Sequence, residues 1–137
     1  MNENIIILSL VFLLGASFGS FLNVVIGRIP IGISIVSPGS HCYSCNQKIN
    51  WYDNIPILSY FILSGKCRIC KEKFSIKYPL IELLTAILTL SLFYLFDVTP
   101  IFFIYTILSY MLIAITFIDI DHLIIPDSFI IFGLIVL

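Results

Sequence analysis

Charge is what this chain has least of. Only 11% of its 137 residues are Asp, Glu, Lys or Arg, against about 25% in ordinary soluble domains. Sixty per cent are hydrophobic, and the mean hydropathy is +1.11. That leaves too little polar surface to cover a globule in water, so lipid becomes the solvent for most of the chain. A net charge of −1 argues against nucleic acid as a partner. Basic residues are missing altogether from residues 1–27 and 78–137. All seven (Arg28, Lys48, Lys66, Arg68, Lys71, Lys73 and Lys77) lie in one stretch, whose only acids are Asp53 and Glu72. Lys and Arg resist transfer across a bilayer, so this stretch is predicted to stay cytoplasmic, with the N-terminus outside. The chain also lacks the basic start of a cleavable leader; it opens Met-Asn-Glu-Asn, which favours a retained helix. No internal repeat and no low-complexity linker is evident.

Long apolar runs fill the remainder. Residues 5–27 carry no charge and, at about 1.5 Å per residue, reach roughly 35 Å, enough to cross the hydrocarbon core. The predicted organisation is a first transmembrane helix over 1–27, a loop over 28–77, a second helix over 78–96 and a third over 101–118. The four residues DVTP between the second and third force an antiparallel hairpin. A polar motif over 119–127 follows, then the start of a fourth helix over 128–137. That last apolar run is roughly 15 Å long, half a bilayer, and carries no closing polar cap. It reads as an N-terminal piece of a longer polytopic protein, or a truncated product. The expected fold class is an all-α polytopic membrane protein: three full transmembrane helices, a truncated fourth, and a cytoplasmic zinc-binding loop of four cysteines between the first two.

The zinc expectation comes from Cys42, Cys45, Cys67 and Cys70, spaced C-x2-C-x21-C-x2-C. Each C-x2-C pair can grip one side of a tetrahedral ion, and four soft thiolates with no redox demand select zinc. Coordination would supply folding energy that a small loop with little core lacks. Two disulfides or free buried thiols are the alternatives, and a reducing cytosol disfavours the first. Four cysteines complete a closed, structural site, which leaves His41 a bystander. The apolar run Ile55–Leu63 is too short to span. It is either a packing face of the loop or a surface resting on the membrane, with Trp51, Tyr52 and Tyr60 suited to the interface.

A few polar groups lie within or beside the spans. Gly15 and Gly19 form a GxxxG step that lets another helix approach, a pattern common by chance. Asn23 is expected to bond a neighbouring helix. Glu82 is expected to snorkel or to pair with Arg28. The densest cluster is Asp119, Asp121, His122 and Asp127, at a membrane edge that has no basic residue. Two carboxylates sharing a proton could activate water for peptide hydrolysis. Asp119 and Asp121, however, diverge by about 200° on a helix and cannot face one water together. The stretch therefore supplies one catalytic carboxylate, and its partner must come from another helix.

Five segments in order, GSFLNVVIGRIP (19–30), the paired C-x2-C loop, WYDNIPILSYFILSGKCRICK (51–71), KYPLIELLTA (77–86) and IDIDHLIIPD (118–127), resemble the N-terminal part of the bacterial type IV prepilin peptidase family (prepilin leader peptidase/N-methyltransferase). The resemblance implies an aspartic endopeptidase of the plasma (inner) membrane. Such an enzyme cuts the leader from prepilins and pseudopilins, serving type IV pili or type II secretion, and N-methylates the new terminus with S-adenosylmethionine. It implies that Asp119, the first residue of D-x-D-H, is the first catalytic aspartate. It implies a second aspartate in a later GxGD motif, which these residues do not contain, so the chain alone would be inactive. It also implies that the metal of the four cysteines is zinc, in a loop tied to methylation rather than proteolysis. No glycine-rich methyltransferase loop is visible. Two other classes of function compete: a non-enzymatic membrane zinc module that docks a partner, and a decayed remnant.

Overall fold

A computed structural model describes residues 2–136; Met1 and Leu137, the outer ends of the expected first and fourth spans, lie outside the described residues. Among the described residues the structure is helical, with no β-strand. The elements are α1 (Asn2–Arg28), a 3-10 turn (Ile29–Ile31), a second 3-10 turn (Trp51–Asn54), α2 (Leu58–Ile62), α3 (Lys77–Phe96), α4 (Pro100–His122) and α5 (Asp127–Val136). Helices α1, α3 and α4 are each long and apolar enough to cross a membrane. Many of their large side chains point outward: Leu13 and Leu14 on α1, Leu95 on α3 and Leu112 on α4 are all more than half exposed. Apolar groups facing outward on helices of this length are favoured by lipid, not by water.

Helix α1 packs chiefly on α3, and α4 lies against both. The reason is the pair of glycines. A Cβ added at Gly15 would sit 2.8 Å from the Ala86 Cα, and one added at Gly19 would sit 2.6 Å from the Glu82 Cα. The GxxxG step is therefore a true crossing point, where the two backbones approach more closely than any side chain allows. Around it Leu22 and Ile26 of α1 meet Ile81 of α3 and Ile113, Ala114 and Ile118 of α4. Buried hydroxyls find partners inside the bundle. Thr85 and Thr89 each donate to the carbonyl four residues back, at 3.0 and 2.7 Å, and Thr89 also pairs with the Tyr110 hydroxyl across α3 and α4.

The turn between α3 and α4 is tighter than DVTP implied. Pro100 is already helical, and Thr99 caps α4 by accepting the Phe102 N–H, using the fixed φ of proline at a first-turn position. At its other end α4 continues past residue 118 and takes in Asp119, Asp121 and His122. Nothing in Asp-Ile-Asp-His breaks a helix. The stop comes at Leu123, whose left-handed backbone lets its N–H return to the Asp119 carbonyl at 2.8 Å. Pro126 then disfavours helical geometry at Ile125.

If backbone proximity at Gly19 sets the packing, Gly19→Val should destabilise the bundle by about 1–3 kcal/mol. Gly27→Ala, with nothing within 4 Å of the added Cβ, should be near neutral. Thermal melting of both variants in the same detergent checks this; equal shifts would show that the glycine crossing does not matter.

Candidate functional site

Between α1 and α3 the chain forms two matching knuckles. In the first, the Cys42 N–H donates to the Gln47 carbonyl (3.0 Å) and the Asn46 N–H to the Cys42 carbonyl (2.8 Å). In the second, the Cys67 N–H donates to the Glu72 carbonyl (2.8 Å) and the Lys71 N–H to the Cys67 carbonyl (3.2 Å). Each knuckle is closed by one isolated antiparallel bridge, His41 to Lys48 and Lys66 to Lys73. Asn46 and Lys71, each just after the second cysteine, both take the left-handed conformation. The chain thus does contain an internal repeat, of about eight residues, in the pattern C-x-x-C-x-x-K. It is too short to stand out in composition, but the matched cysteines and lysines at that offset were its signal.

Face to face, the knuckles bring the four Sγ atoms within 4.8 Å of one another. The Cys42 sulfur lies 3.7 Å from that of Cys70, and the Cys45 sulfur 4.0 Å from that of Cys67. A tetrahedral ion bound at about 2.3 Å from each sulfur sets them roughly 3.8 Å apart, so the cluster can hold a metal ion and its dimensions are consistent with zinc. All four are free cysteines, with their sulfurs at metal-sharing rather than disulfide distances. The thiols are not equivalent. Backbone N–H groups of Cys70 and Ile69 aimed at its sulfur draw Cys67 down to about 7. At Cys70 the Glu72 N–H pulls the same way, but burial and the neighbouring sulfurs outweigh it and push the thiol up to about 12. His41 is not a ligand; its Nδ1 bonds the Gly39 carbonyl at 2.9 Å.

Sequence reasoning missed three ties that hold the loop in place. Arg28, buried at the end of α1, donates to the carbonyls of Ser34 (3.0 Å), Pro38 (2.7 Å) and Gly39 (3.3 Å). Five guanidinium N–H groups suit such gathering of carbonyls. Arg68 grips Asp53 with two bonds, at 2.8 and 2.6 Å; these hydrogen bonds hold the Asp53 carboxyl below its ordinary range. Glu82, in the second turn of α3, accepts the Ile57 N–H at 2.6 Å and docks the loop onto the helix. Glu82 therefore neither snorkels nor pairs with Arg28: the guanidinium is occupied by carbonyls, and Glu82 is only 8% exposed beneath the loop. No sequence signal separates these roles from generic ion pairing. Asn23 does bond a neighbouring helix, donating to the Tyr78 carbonyl at 3.1 Å.

The apolar stretch between the pairs has two sides: Ser59 is buried and Ile57, Tyr60 and Leu63 are half-buried, with Tyr60 and Leu63 turned under the loop. Trp51, Leu58, Phe61 and Ile62 are all more than half exposed. The exposed side fits a surface resting on the membrane, and the inner side packs beneath the loop.

The acidic cluster is divided. Asp119 and Asp121 share the last turns of α4, where helical spacing turns them apart. Asp121 pairs with Lys77 at the start of α3, tying the two helices together, whereas Asp119 is exposed and has no ion-pair partner among the described residues. Asp127 opens α5, where a carboxylate favours the positive end of the helix.

Residues 13–96 match a family model described as the bacterial peptidase A24 N-terminal domain. The prepilin leader peptidase/N-methyltransferase of Myxococcus xanthus is 44% identical over 117 residues, covering 85% of this chain and 35% of that protein. A type 4 prepilin-like proteins leader peptide-processing enzyme of Escherichia coli is 42% identical over 133 residues, covering 84% and 49%. The prepilin leader peptidase/N-methyltransferase of Pseudomonas putida is 31% identical over 149 residues, covering 93% and 52%. The chain spans about a third to a half of the length of these relatives. No solved structure matches.

The knuckles have almost no core of their own, so metal should hold them. Purified protein is expected to carry a tightly bound metal ion by elemental analysis. Cys67→Ser should lose most of it and open residues 40–75 to protease. A metal-free chain with an equally resistant loop would remove the site.

Proposed function

Because the chain belongs to the bacterial peptidase A24 N-terminal-domain family, whose model covers residues 13–96, we propose that it is the N-terminal part of a membrane aspartic endopeptidase. The full-length protein removes the leader peptide from type IV prepilins and pseudopilins, and N-methylates the new amino terminus with S-adenosylmethionine as methyl donor. It sits in the plasma (inner) membrane as a multi-pass protein, with the N-terminus outside and the cysteine loop cytoplasmic, a reading supported by the confinement of all Lys and Arg to residues 28–77. Cys42, Cys45, Cys67 and Cys70 hold a structural zinc; with four thiolates it has no open position and takes no part in hydrolysis.

One observation carries the protease reading. Of the two carboxylates in D-x-D-H, Asp121 is engaged by Lys77, while Asp119 lies exposed at the end of a candidate span. An acid in that place is available to a carboxylate from a later helix, as the GxGD motif of the resembled family implies. Asp119 and that partner would share a proton and hold a water between them. The ionised member takes the proton as the water attacks the scissile carbonyl, and the protonated member donates to the carbonyl oxygen. An acid pair at the inner edge of the membrane suits a substrate whose apolar stem lies in the bilayer and whose leader projects into the cytoplasm. These residues supply one acid of the two, and alone they are inactive.

In the full-length protein, Asp119→Asn should lower prepilin cleavage by about 10²-fold or more while metal content and folding stay unchanged. Asp121→Asn should cost less, because Asp121 orients α4 and does not touch the water. Gel-shift cleavage of a prepilin checks both, and full activity of the Asp119 variant would end the assignment.

A further inference from the structure

Under the cysteine loop, where α1 ends and α3 begins, lies a cavity of about 380 Å³ lined by both helices and the loop. That volume lies within the range of pockets built for small ligands or side chains. Glu82 lines it, is only 8% exposed and accepts the Ile57 N–H. Among the described residues no Lys or Arg pairs with it. Two cations, Arg28 and Lys66, line the same cavity; Arg28 is committed to three loop carbonyls. Ser20 and Asn23 donate hydrogen bonds to the Glu82 carboxylate, and their side-chain oxygens keep lone pairs for a donor entering the cavity. The rest of the wall is largely apolar and aromatic, including Tyr60 and Phe74. A buried carboxylate without a cation is costly, and aromatic faces favour a positive charge. The complement of such a site is an ammonium group attached to an apolar body.

We propose that this cavity receives a peptide amino terminus, with Glu82 accepting the ammonium and the aromatic wall accepting the first side chain. The proposal rests on the leader-peptidase reading in one respect: cleavage of a leader is what creates a free amino terminus beside an apolar stem. Glu82 would then act twice in one place, docking the loop through Ile57 and binding the processed terminus. Closing the loop over α3 and forming the terminus site become the same event.

The test is binding, read independently of cleavage, to full-length protein in nanodiscs. The probes are Leu-Ala-Ala-amide and its N-acetyl twin, measured by calorimetry. The free amine is expected to bind about tenfold or more tightly than the acetylated peptide. Glu82→Gln, whose amide oxygen can still accept the Ile57 N–H, should reduce that ratio to near one with metal content unchanged. Equal affinity for the two peptides, no binding of either, or an unchanged ratio in Glu82→Gln would overturn the proposal. Should the variant unfold, the two peptides on the unaltered protein decide alone. A protein that binds the amine but fails to cleave prepilin would keep this site and lose the protease reading.

Discussion

The close approach of α1 to α3 at Gly15 and Gly19 is the contact on which the rest of the structure depends. In lipid there is no hydrophobic force to bring two apolar helices together, so association relies on packing and on hydrogen bonds between helices. Two glycines one turn apart let the backbones meet, and Asn23 bonds across the same face. Because that crossing fixes the register of the two helices, Arg28 and Glu82 both line one cavity without pairing with each other. A larger residue at Gly19 would separate the helices and disturb the docking of the loop together with the packing.

The loop between these helices is ordered by polar bonds rather than by a core. Arg28 draws the chain after α1 back over the helix end, Glu82 pins Ile57, and Asp53 with Arg68 joins the Trp51–Asn54 turn to the second knuckle. Many apolar residues of the loop are turned outward, which leaves little burial to stabilise it. A metal ion held between the knuckles would offset that deficit, because binding free energy at a site absent from the unfolded chain is folding free energy. This division of labour explains why the most hydrophobic segments are structurally the simplest. The basic, cysteine-bearing segment instead carries most of the specific hydrogen bonding between distant residues.

Two chemical features then sit on different supports. The cavity with Glu82 is assembled from α1, α3 and the loop, all within the described residues. The acid at Asp119 stands on the end of α4, held in place by the Asp121–Lys77 pair and the Ile118 packing beside it. Its side chain is exposed and unpaired among the described residues, which is the feature the proposed protease reading uses. Carboxylates two residues apart on a helix take separate roles for a geometric reason, one facing α3 and the other turned away.

Much was legible in the sequence because it follows from composition and short-range spacing. Three spans follow from apolar runs of about 20 residues, the metal site from C-x2-C pairs, and the confinement of Lys and Arg from a simple count. Asp119 and Asp121 were separable on helical geometry alone, provided that the helix reached them, as it does. What the sequence did not decide was which polar groups meet across distance. Arg28 and Glu82 look like an ion pair in one dimension, and in three they serve different parts of the same loop. The apolar run Ile55–Leu63 left packing and membrane contact equally open, and the folded chain divides it between the two: Leu58, Phe61 and Ile62 face outward while Tyr60 and Leu63 turn under the loop. Local periodicity and composition are encoded residue by residue; the partner of a buried carboxylate depends on the register between helices and the path of the long loop that joins them. Only the folded chain sets those two.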